Sequence, residues 1–344
     1  MDKKQTFNGI LHSRVFYLVI AAFVALAVLP LLITDNFFLY VLTLICIMAI
    51  YAASWNFLAN SGQGSLGHAA FLGIGGFSAA LLGTSISTSL ANLAGTSSLP
   101  IGAASVTILV VVLLVGGLIS AGIGLLIGLA CVRLKAWYLA MVTFGFSVII
   151  STLSGQFDSF TNGINGFAPA TLVPTKFPTY ILVLTFTVAS ISVMYLIMKS
   201  RMGLAFRAIH GNEAEAKMIG INTAKYKLVA FVISTFFAGV AGGLDVFFLR
   251  FVQNEIFSPA NSFLPLIMTV IGGLGTTVGP IIGSIFWVTI QQTTTGPYFT
   301  LSLVVIGIVL LLIVIFSPKG LAPLFQKIYN RIVAKPQSKE AKKP

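Results

Sequence analysis

The sequence contains few charged residues, and few of those are acidic. Only 8% of its 344 residues are charged and 57% are hydrophobic, whereas a typical soluble domain is about one quarter charged. This composition excludes a water-soluble fold. Asp245 is the only carboxylate that lies clearly within an apolar stretch. An ion-coupled secondary transporter would be expected to place several carboxylates or histidines there, so that class is the less favoured alternative.

The chain also lacks the sequence features of an enzyme that binds a nucleotide or a metal ion. It has two cysteines, Cys46 and Cys131, and both lie in apolar runs, so a disulfide framework is excluded. No G-x-x-x-x-G-K-[ST] phosphate loop occurs, and no polar stretch is long enough for a nucleotide-binding domain. We therefore predict no catalytic site, no metal site and no cofactor of its own. Any ATP must be bound by another polypeptide.

Basic residues give a formal net charge of +12, but their distribution is uneven. All but two of the 20 lie in four short segments, at 3–14, 133–135, 199–227 and 319–343. A nucleic-acid-binding protein would instead gather them on an exposed domain interleaved with aromatic residues. Positive charge in short loops marks the cytoplasmic side of a membrane protein, so no nucleic-acid partner is expected.

Apolar stretches of about 20 residues, each long enough to cross a bilayer, recur along the chain. They lie at 15–34, 38–58, 66–86, 104–131, 137–153, 178–198, 228–250 and 299–316. The sequence therefore predicts an all-α polytopic membrane protein surrounded by membrane lipid. The predicted organisation is a cytoplasmic N-terminal segment at 1–14, a transmembrane domain at 15–316 and a basic cytoplasmic tail at 317–344.

Segment 263–292 decides the number of passes. Its middle is rich in helix-breaking residues, namely Gly272, Gly273, Gly275, Gly279 and Pro280. Two short crossings that break near 275–280 would return the tail to the cytoplasm. We therefore predict about ten passes, within a range of eight to ten, with both termini inside. Broken helices at membrane depth need protein or a water-filled cavity beside them. The break is thus a candidate pore-lining element, with core packing as the alternative.

A short helix is predicted within the inner loop 199–227. Asn212 is a suitable N-cap, Glu213-Ala214-Glu215 resembles a capping box, and Gly220 is placed to end the helix. The expected product, Glu213 to Ile219, is too short to be stable alone in water. It must pack either on this chain's own inner face or against a partner.

Two titratable residues within the apolar stretches are also candidates for a role in transport. His68 lies in GQGSLGHAAFLGIGGFSAALL at 62–82 and is either a hydrogen-bonded structural residue or part of a substrate or proton pathway. Asp245 lies about five residues from the outer end of its helix, where an unpaired charge is costly. It requires a partner, such as Arg250 or a group on another helix, or a vestibule that faces the substrate.

Four parts of the sequence together resemble one known family, in order and over most of the chain. They are the 62–82 segment, KAWYLAMVTFGF at 135–146 with TNGINGF at 161–167, RMGLAFRAIHGNEAEAKMIGINTAKYKLVAFVISTFFAGVAGGL at 201–244, and SPANSFLPLIMTVIGGLGTTVGPIIGS at 258–284 with FSPKGL at 316–321. The chain is similar to the LivM-type permease subunits of branched-chain amino acid importers in the ATP-binding cassette superfamily.

The resemblance implies a permease in the bacterial cytoplasmic (inner) membrane that translocates leucine, isoleucine and valine. It implies a second, LivH-like permease subunit, two cytoplasmic ATPase subunits and an extracytoplasmic solute-binding protein. Segment 213–222 would contact an ATPase subunit, although it departs from the usual Glu-Ala-Ala order. Asn162 stands where relatives usually have glycine. Import of urea, short amides or another small solute by the same architecture is the nearest alternative.

Overall fold

The computed structural model describes residues 35–93, 103–132, 134, 136–156, 162–163, 165–172, 176–294, 307–308, 311, 315 and 320–321. Within these ranges the chain forms ten α-helices, and a 3₁₀ helix spans Asn254–Phe257. The helices are α1 Asn36–Ala59, α2 His68–Leu93, α3 Ala103–Cys131, α4 Ala136–Gln156, α5 Lys176–Lys199, α6 Arg201–Gly211, α7 Glu213–Met218, α8 Thr223–Leu249, α9 Pro259–Gly272 and α10 Gly279–Thr294.

Six helices in the described ranges, α1 to α5 and α8, are long and apolar enough to cross a membrane. They correspond to six of the eight long apolar stretches in the sequence, which confirms the all-α, multi-pass class. The predicted span 15–34 lies outside the described residues, as do segments 1–14 and nearly all of 317–344. Within the predicted span 299–316, the four described positions 307, 308, 311 and 315 are helical.

The helix boundaries differ from the prediction in two places. α2 continues to Leu93, through seven residues that were expected to form an outer loop. Its polar side chains bond to their own helix, since Thr84 Oγ1 donates to Ala80 O and Thr88 Oγ1 donates to Thr84 O. Such backbonding keeps threonine compatible with a helix interior. The inner loop 199–227 also contains an unpredicted helix, α6, whose N-cap is Ser200.

α8 lies at the centre of the bundle and packs closely on α1, α2 and α3. Glycines permit this approach, because a Cβ added at Gly242 would lie 1.8 Å from Leu72 O and one at Gly75 would lie 2.2 Å from Gly239 Cα. Lipid provides no hydrophobic drive for association, so such small-residue contacts hold membrane helices together by close packing.

α9 and α10 form an antiparallel hairpin, which confirms that segment 263–292 consists of two short helices with a break between them. The break is residues 273–278. A Cβ at Gly272 would lie 1.7 Å from Gly279 O, and a Cβ at Gly283 would lie 1.7 Å from Met268 O. Any side chain at either position would therefore collide with the backbone of the facing helix.

The break lies at the same end of the bundle as the loop 199–222. Asn56, near the end of α1, bonds to the break, and a Cβ at Gly62 would lie 3.2 Å from His210 Cα. We call the part formed by residues 59–67, 199–222 and 273–278 the basic end.

At the opposite end, Phe167 and Val252 exchange two backbone hydrogen bonds of 2.9 and 3.0 Å. Asn162 has a left-handed backbone with φ of 55°. Asparagine tolerates this conformation better than most residues. That tolerance explains how Asn162 adopts this conformation in TNGINGF.

Candidate functional site

The short helix α7 has the caps that the sequence predicts. Asn212 Oδ1 accepts from Ala214 N at 3.0 Å and from Glu215 N at 3.4 Å, and Asn212 Nδ2 donates to Glu215 Oε1 at 2.6 Å. Gly220 adopts a left-handed φ of 85°, and Ile221 N bonds to Ala216 O at 3.0 Å. The helix is Glu213–Met218, with Ile219 as its C-cap, one residue shorter than predicted.

Glu213 attaches α7 to the start of α8. Its Oε1 accepts from Thr223 Oγ1 at 3.1 Å, and its Oε2 is bonded to Lys227 Nζ. The Lys227 side chain is only 7% exposed, so this ion pair lies partly inside the protein. Lys217, one turn along α7, makes a second ion pair with Glu213 at 3.0 Å. Glu213 therefore connects α7 directly to the most central helix of the bundle.

The pKa of Glu213 reflects this attachment. Partial burial would raise it, but the hydrogen bonds and charges of Lys227 and Lys217 outweigh burial and lower the pKa from 4.5 to about 2. A lowered carboxyl pKa stabilises the folded arrangement at pH values above 4.5, and this stabilisation disappears as the pH falls from 4.5 towards 2.

We therefore expect the attachment of α7 to be insensitive to pH between 7 and 5 and to weaken at pH 3. Hydrogen exchange of the peptide covering residues 212–222, corrected for the intrinsic rate at each pH, measures this in the detergent-solubilised chain. Loss of protection already between pH 7 and 5 would assign the attachment to a group other than Glu213.

The surface of α7 carries an unusual pair of exposed apolar residues. Met218 is 85% exposed and Ile219 is 74% exposed, whereas Ala216 faces inward and is buried. Glu213 and the cap at Asn212 hold the helix on the protein, so its outward face is free to meet another surface. Adjacent exposed apolar side chains on a polar loop are typical of an interaction site.

Asn56 holds the break in place and is a residue that the sequence analysis missed. Its side chain is buried, with Nδ2 donating to Thr276 O at 2.8 Å and Oδ1 accepting from Gly275 N at 3.0 Å. One amide thus satisfies two backbone groups that the broken helix leaves free. The sequence signal that could have identified Asn56 is a polar residue near the end of an apolar helix.

The predicted path residues divide into two groups around this break. Gly272, Gly273, Gly279 and Pro280 are buried in the hairpin, while Gly275 is exposed and has a left-handed φ of 76°. The buried glycines allow the two helices to touch, and Pro280 lies in the first turn of α10, where no backbone donor is needed.

Gly320 lies against the same break. A Cβ at this position would be 2.4 Å from Gly273 Cα, so the two backbones are in direct contact. Gly320, four residues after the predicted span 299–316, therefore lies at the basic end, beside residues 273–278.

His68 is fully buried where α1, α2 and α8 meet. Its Nε2 is 3.1 Å from Ser54 Oγ and 3.4 Å from Ser234 Oγ. Each serine donates its single hydrogen to a backbone carbonyl, so the network assigns the ring proton to Nε2. Nδ1 is left as an acceptor with no partner among the described residues. The two serines were not identified from the sequence.

Asp245 lies on the same face of α8 as Ser234, about three turns further along. It is 8% exposed, and its Oδ1 has no hydrogen-bond partner in the part of the chain that the structure describes. The structure thus places both His68 and Asp245 inside the bundle. The other candidate residues form two sites at the basic end, α7 with its caps and the break.

Comparison with known proteins identifies relatives. Over 238 residues the chain is 29% identical to the high-affinity branched-chain amino acid transport system permease protein LivM of Salmonella typhimurium. Over 240 residues it is 28% identical to LivM of Escherichia coli. These alignments cover 60% and 61% of the chain but 56% of each relative, so the match spans little more than half of their length.

A third relative is the probable branched-chain amino acid transport permease protein LivH of Methanocaldococcus jannaschii. It is 28% identical over 202 residues, which are 54% of this chain and 62% of that protein. No solved structure matches the chain.

Residues 37–314 match the model of a family described as branched-chain amino acid transport system / permease component. This match includes every membrane-crossing helix that the structure describes. It agrees with the predicted location, a multi-pass protein of the cytoplasmic membrane. The chain belongs to the family of branched-chain amino acid transport system permease components.

Proposed function

We propose that this chain is the permease subunit of an ATP-binding cassette importer for leucine, isoleucine and valine. An extracytoplasmic binding protein would deliver the amino acid, a second, LivH-like permease subunit would complete the passage, and two cytoplasmic ATPase subunits would supply the energy. The family match and the names of the relatives support the solute class. The observation that carries the coupling role is the capped, exposed helix α7 fastened to α8.

The coupling role follows from two properties of α7. Its apolar residues Met218 and Ile219 face outward, so an ATPase subunit can cover them. Its carboxylate Glu213 is bonded to Thr223 and Lys227 at the start of α8, so a movement of α7 would be passed on to α8. ATP binding and release in the ATPase subunits would then shift the equilibrium between two packings of the helix bundle, and α7 would transmit this change.

The translocation path is proposed to run beside the exposed part of the break, at residues 274–278. Leu274 and Val278 are both more than half exposed, and the backbone at Gly275 is open. Exposed polar backbone at a broken helix suits the zwitterionic head of an amino acid, while the apolar side chain needs no charged partner. The buried glycines would keep the hairpin narrow beside this path.

The ten-pass topology with both termini in the cytoplasm belongs to the same proposal. The contact between Gly320 and Gly273 supports it, because both residues lie at the end that carries the basic loop 199–222. An even number of crossings between residues 222 and 320 is required to bring the chain back to that end. Helices α8, α9 and α10 and the predicted span 299–316 supply four.

Cysteine labelling tests this topology. The variants Glu215→Cys and Glu340→Cys, each in a background with Cys46→Ala and Cys131→Ala, should react with a membrane-impermeant thiol reagent only from the cytoplasmic side. Labelling of position 340 from outside would require an odd number of passes.

Reconstitution tests the function itself. The complex that copurifies with this chain, placed in liposomes with its binding protein, should take up radiolabelled leucine, isoleucine and valine only when ATP is supplied. The purified chain alone should hydrolyse no ATP. Uptake of urea or acetamide without leucine uptake would replace the proposed solute, and leucine uptake driven by an ion gradient without ATP would replace the proposed mechanism.

A further inference from the structure

A cavity of about 210 Å³ opens at the basic end of the bundle, between α1, the end of α5, α6 and the break. The proposed translocation path adjoins one of its walls, at residues 274–278, but the functions proposed above assign no ligand to it. Its polar lining residues are Asn56, Asn60, Tyr195, Lys199, Arg207 and Thr277. The cavity is therefore walled by four separate parts of the chain, two of which adjoin α7 and the proposed path.

The charge of this cavity is positive and is not balanced by any carboxylate in the part of the chain that the structure describes. Lys199 Nζ lies 5.5 Å from the centre of the Tyr195 ring, and Arg207 Nη1 donates to Met198 O at 3.2 Å. These contacts hold both cations at the end of α5. No carboxylate lines the cavity, and neither cation forms an ion pair within the described ranges, where Glu213 makes both ion pairs. The site therefore favours an anion.

The inner part of the cavity is apolar. Phe57 and Met194 are buried side chains, and Ile191 continues this wall one turn further along α5. α5 is a membrane-crossing helix that ends at Lys199, so the cations lie at its boundary with water and the apolar wall extends towards the hydrocarbon. A free inorganic anion would contact only the cations and would leave the apolar wall exposed to water. An amphipathic anion would contact both the cations and the apolar wall.

We propose that this cavity binds the headgroup of an anionic phospholipid from the cytoplasmic leaflet. The phosphate lies between Lys199 and Arg207, and the first part of an acyl chain lies along Ile191 and Met194. Basic pockets between membrane helices on the cytoplasmic side recognise such headgroups. Because Thr277 and Gly275 also line the cavity, the bound lipid joins α5 and α6 to the break and stabilises their packing.

Binding is tested with phosphatidylglycerol as the probe and the purified complex in nanodiscs of neutral lipid. The Lys199→Gln, Arg207→Gln double variant should bind phosphatidylglycerol about 30-fold more weakly, since each of the two basic contacts at a membrane surface contributes about 1 kcal/mol. Native mass spectrometry of the bound lipid measures this. The control is the Arg201→Gln, Lys225→Gln double variant, which removes the same charge from exposed positions in the same loop and should bind normally.

Replacing Arg207 also removes its hydrogen bond to the last turn of α5. The Lys199→Gln single variant is therefore measured as well, and the melting temperatures of all variants are compared. A smaller loss of phosphatidylglycerol affinity in this single variant than in the double variant, at an unchanged melting temperature, supports the site. Equal loss in the control variant would show nonspecific surface attraction and overturn it. Displacement of the lipid by millimolar inorganic phosphate would overturn the lipid assignment in favour of a free anion. Unchanged binding in the double variant would exclude the cavity. None of these readouts depends on transport, so failure here leaves the proposed function in place.

Discussion

Replacing Gly283 with leucine should prevent α9 and α10 from packing and should abolish the accumulation of folded subunit. A Cβ at Gly283 would lie 1.7 Å from the carbonyl oxygen of Met268, and a backbone atom cannot move aside as a flexible side chain can. Overpacking a core typically costs about 1–3 kcal/mol, and a collision between helix backbones should reach or exceed the upper value. Size-exclusion chromatography of a fluorescent fusion measures the folded fraction.

Gly122→Leu and Gly145→Leu are the matched controls. Both glycines are helical, and an added Cβ at either meets no atom within 4 Å. These variants should fold as well as the parent chain, because the leucine enters open space at a cost of a few tenths of a kcal/mol or less. If Gly283→Leu gave as much folded, active protein as the controls, the close contact between the two short helices would be incorrect.

The Glu213→Ala variant should assemble in the membrane with its partners yet lose most transport and most stimulation of ATP hydrolysis. The substitution removes the attachment of α7 to Thr223 and leaves the mostly buried ammonium of Lys227 without a partner. The cost lies between the ~0.2–1 kcal/mol of an exposed ion pair and the ~3–5 kcal/mol of a buried one, because Glu213 itself is 37% exposed. Uptake and ATPase assays on the reconstituted complex measure the loss.

Lys217→Ala is the control for this experiment. Lys217 pairs with the same carboxylate but is 61% exposed, and an i,i+4 pair of this kind contributes about 0.2–0.5 kcal/mol. Transport should therefore be nearly normal. The exchanged pair Glu213→Lys with Lys227→Glu should recover part of the activity. Full activity of Glu213→Ala would show that α7 transmits no motion through this attachment.

The features that depend on neighbouring residues in the sequence could be predicted. Six of the eight long apolar stretches form helices α1 to α5 and α8. Asn212 and Gly220 were identified as caps because both act on backbone groups within three or four residues. The glycines at 272–279 indicated a break for the same reason. In each case the cause and the effect lie within one turn of helix.

Contacts between distant segments could not be predicted in this way. Asn56 is separated by 219 residues from Gly275, to which it is bonded, and Ser54 meets Ser234 across 180 residues. Nothing in the local pattern of an apolar helix shows which of its polar residues faces which neighbour. Lys227 was counted only as a loop charge, and its partner Glu213 only as part of a cap. α6 was missed because its 11 residues are too few to stand out as a membrane span and its apolar residues are interspersed with Arg201 and Arg207.

A single helix, α8, connects the two surfaces of the membrane. α8 runs without interruption for 27 residues, about 40 Å at 1.5 Å per residue. Near its start is the bond to Glu213, and just after its end Val252 is paired with Phe167. In the proposed mechanism, a movement of α7 would therefore reach the loop beyond Arg250 through the same helix. The two ends of the passage would then share one moving element, so a change at one end would alter the other.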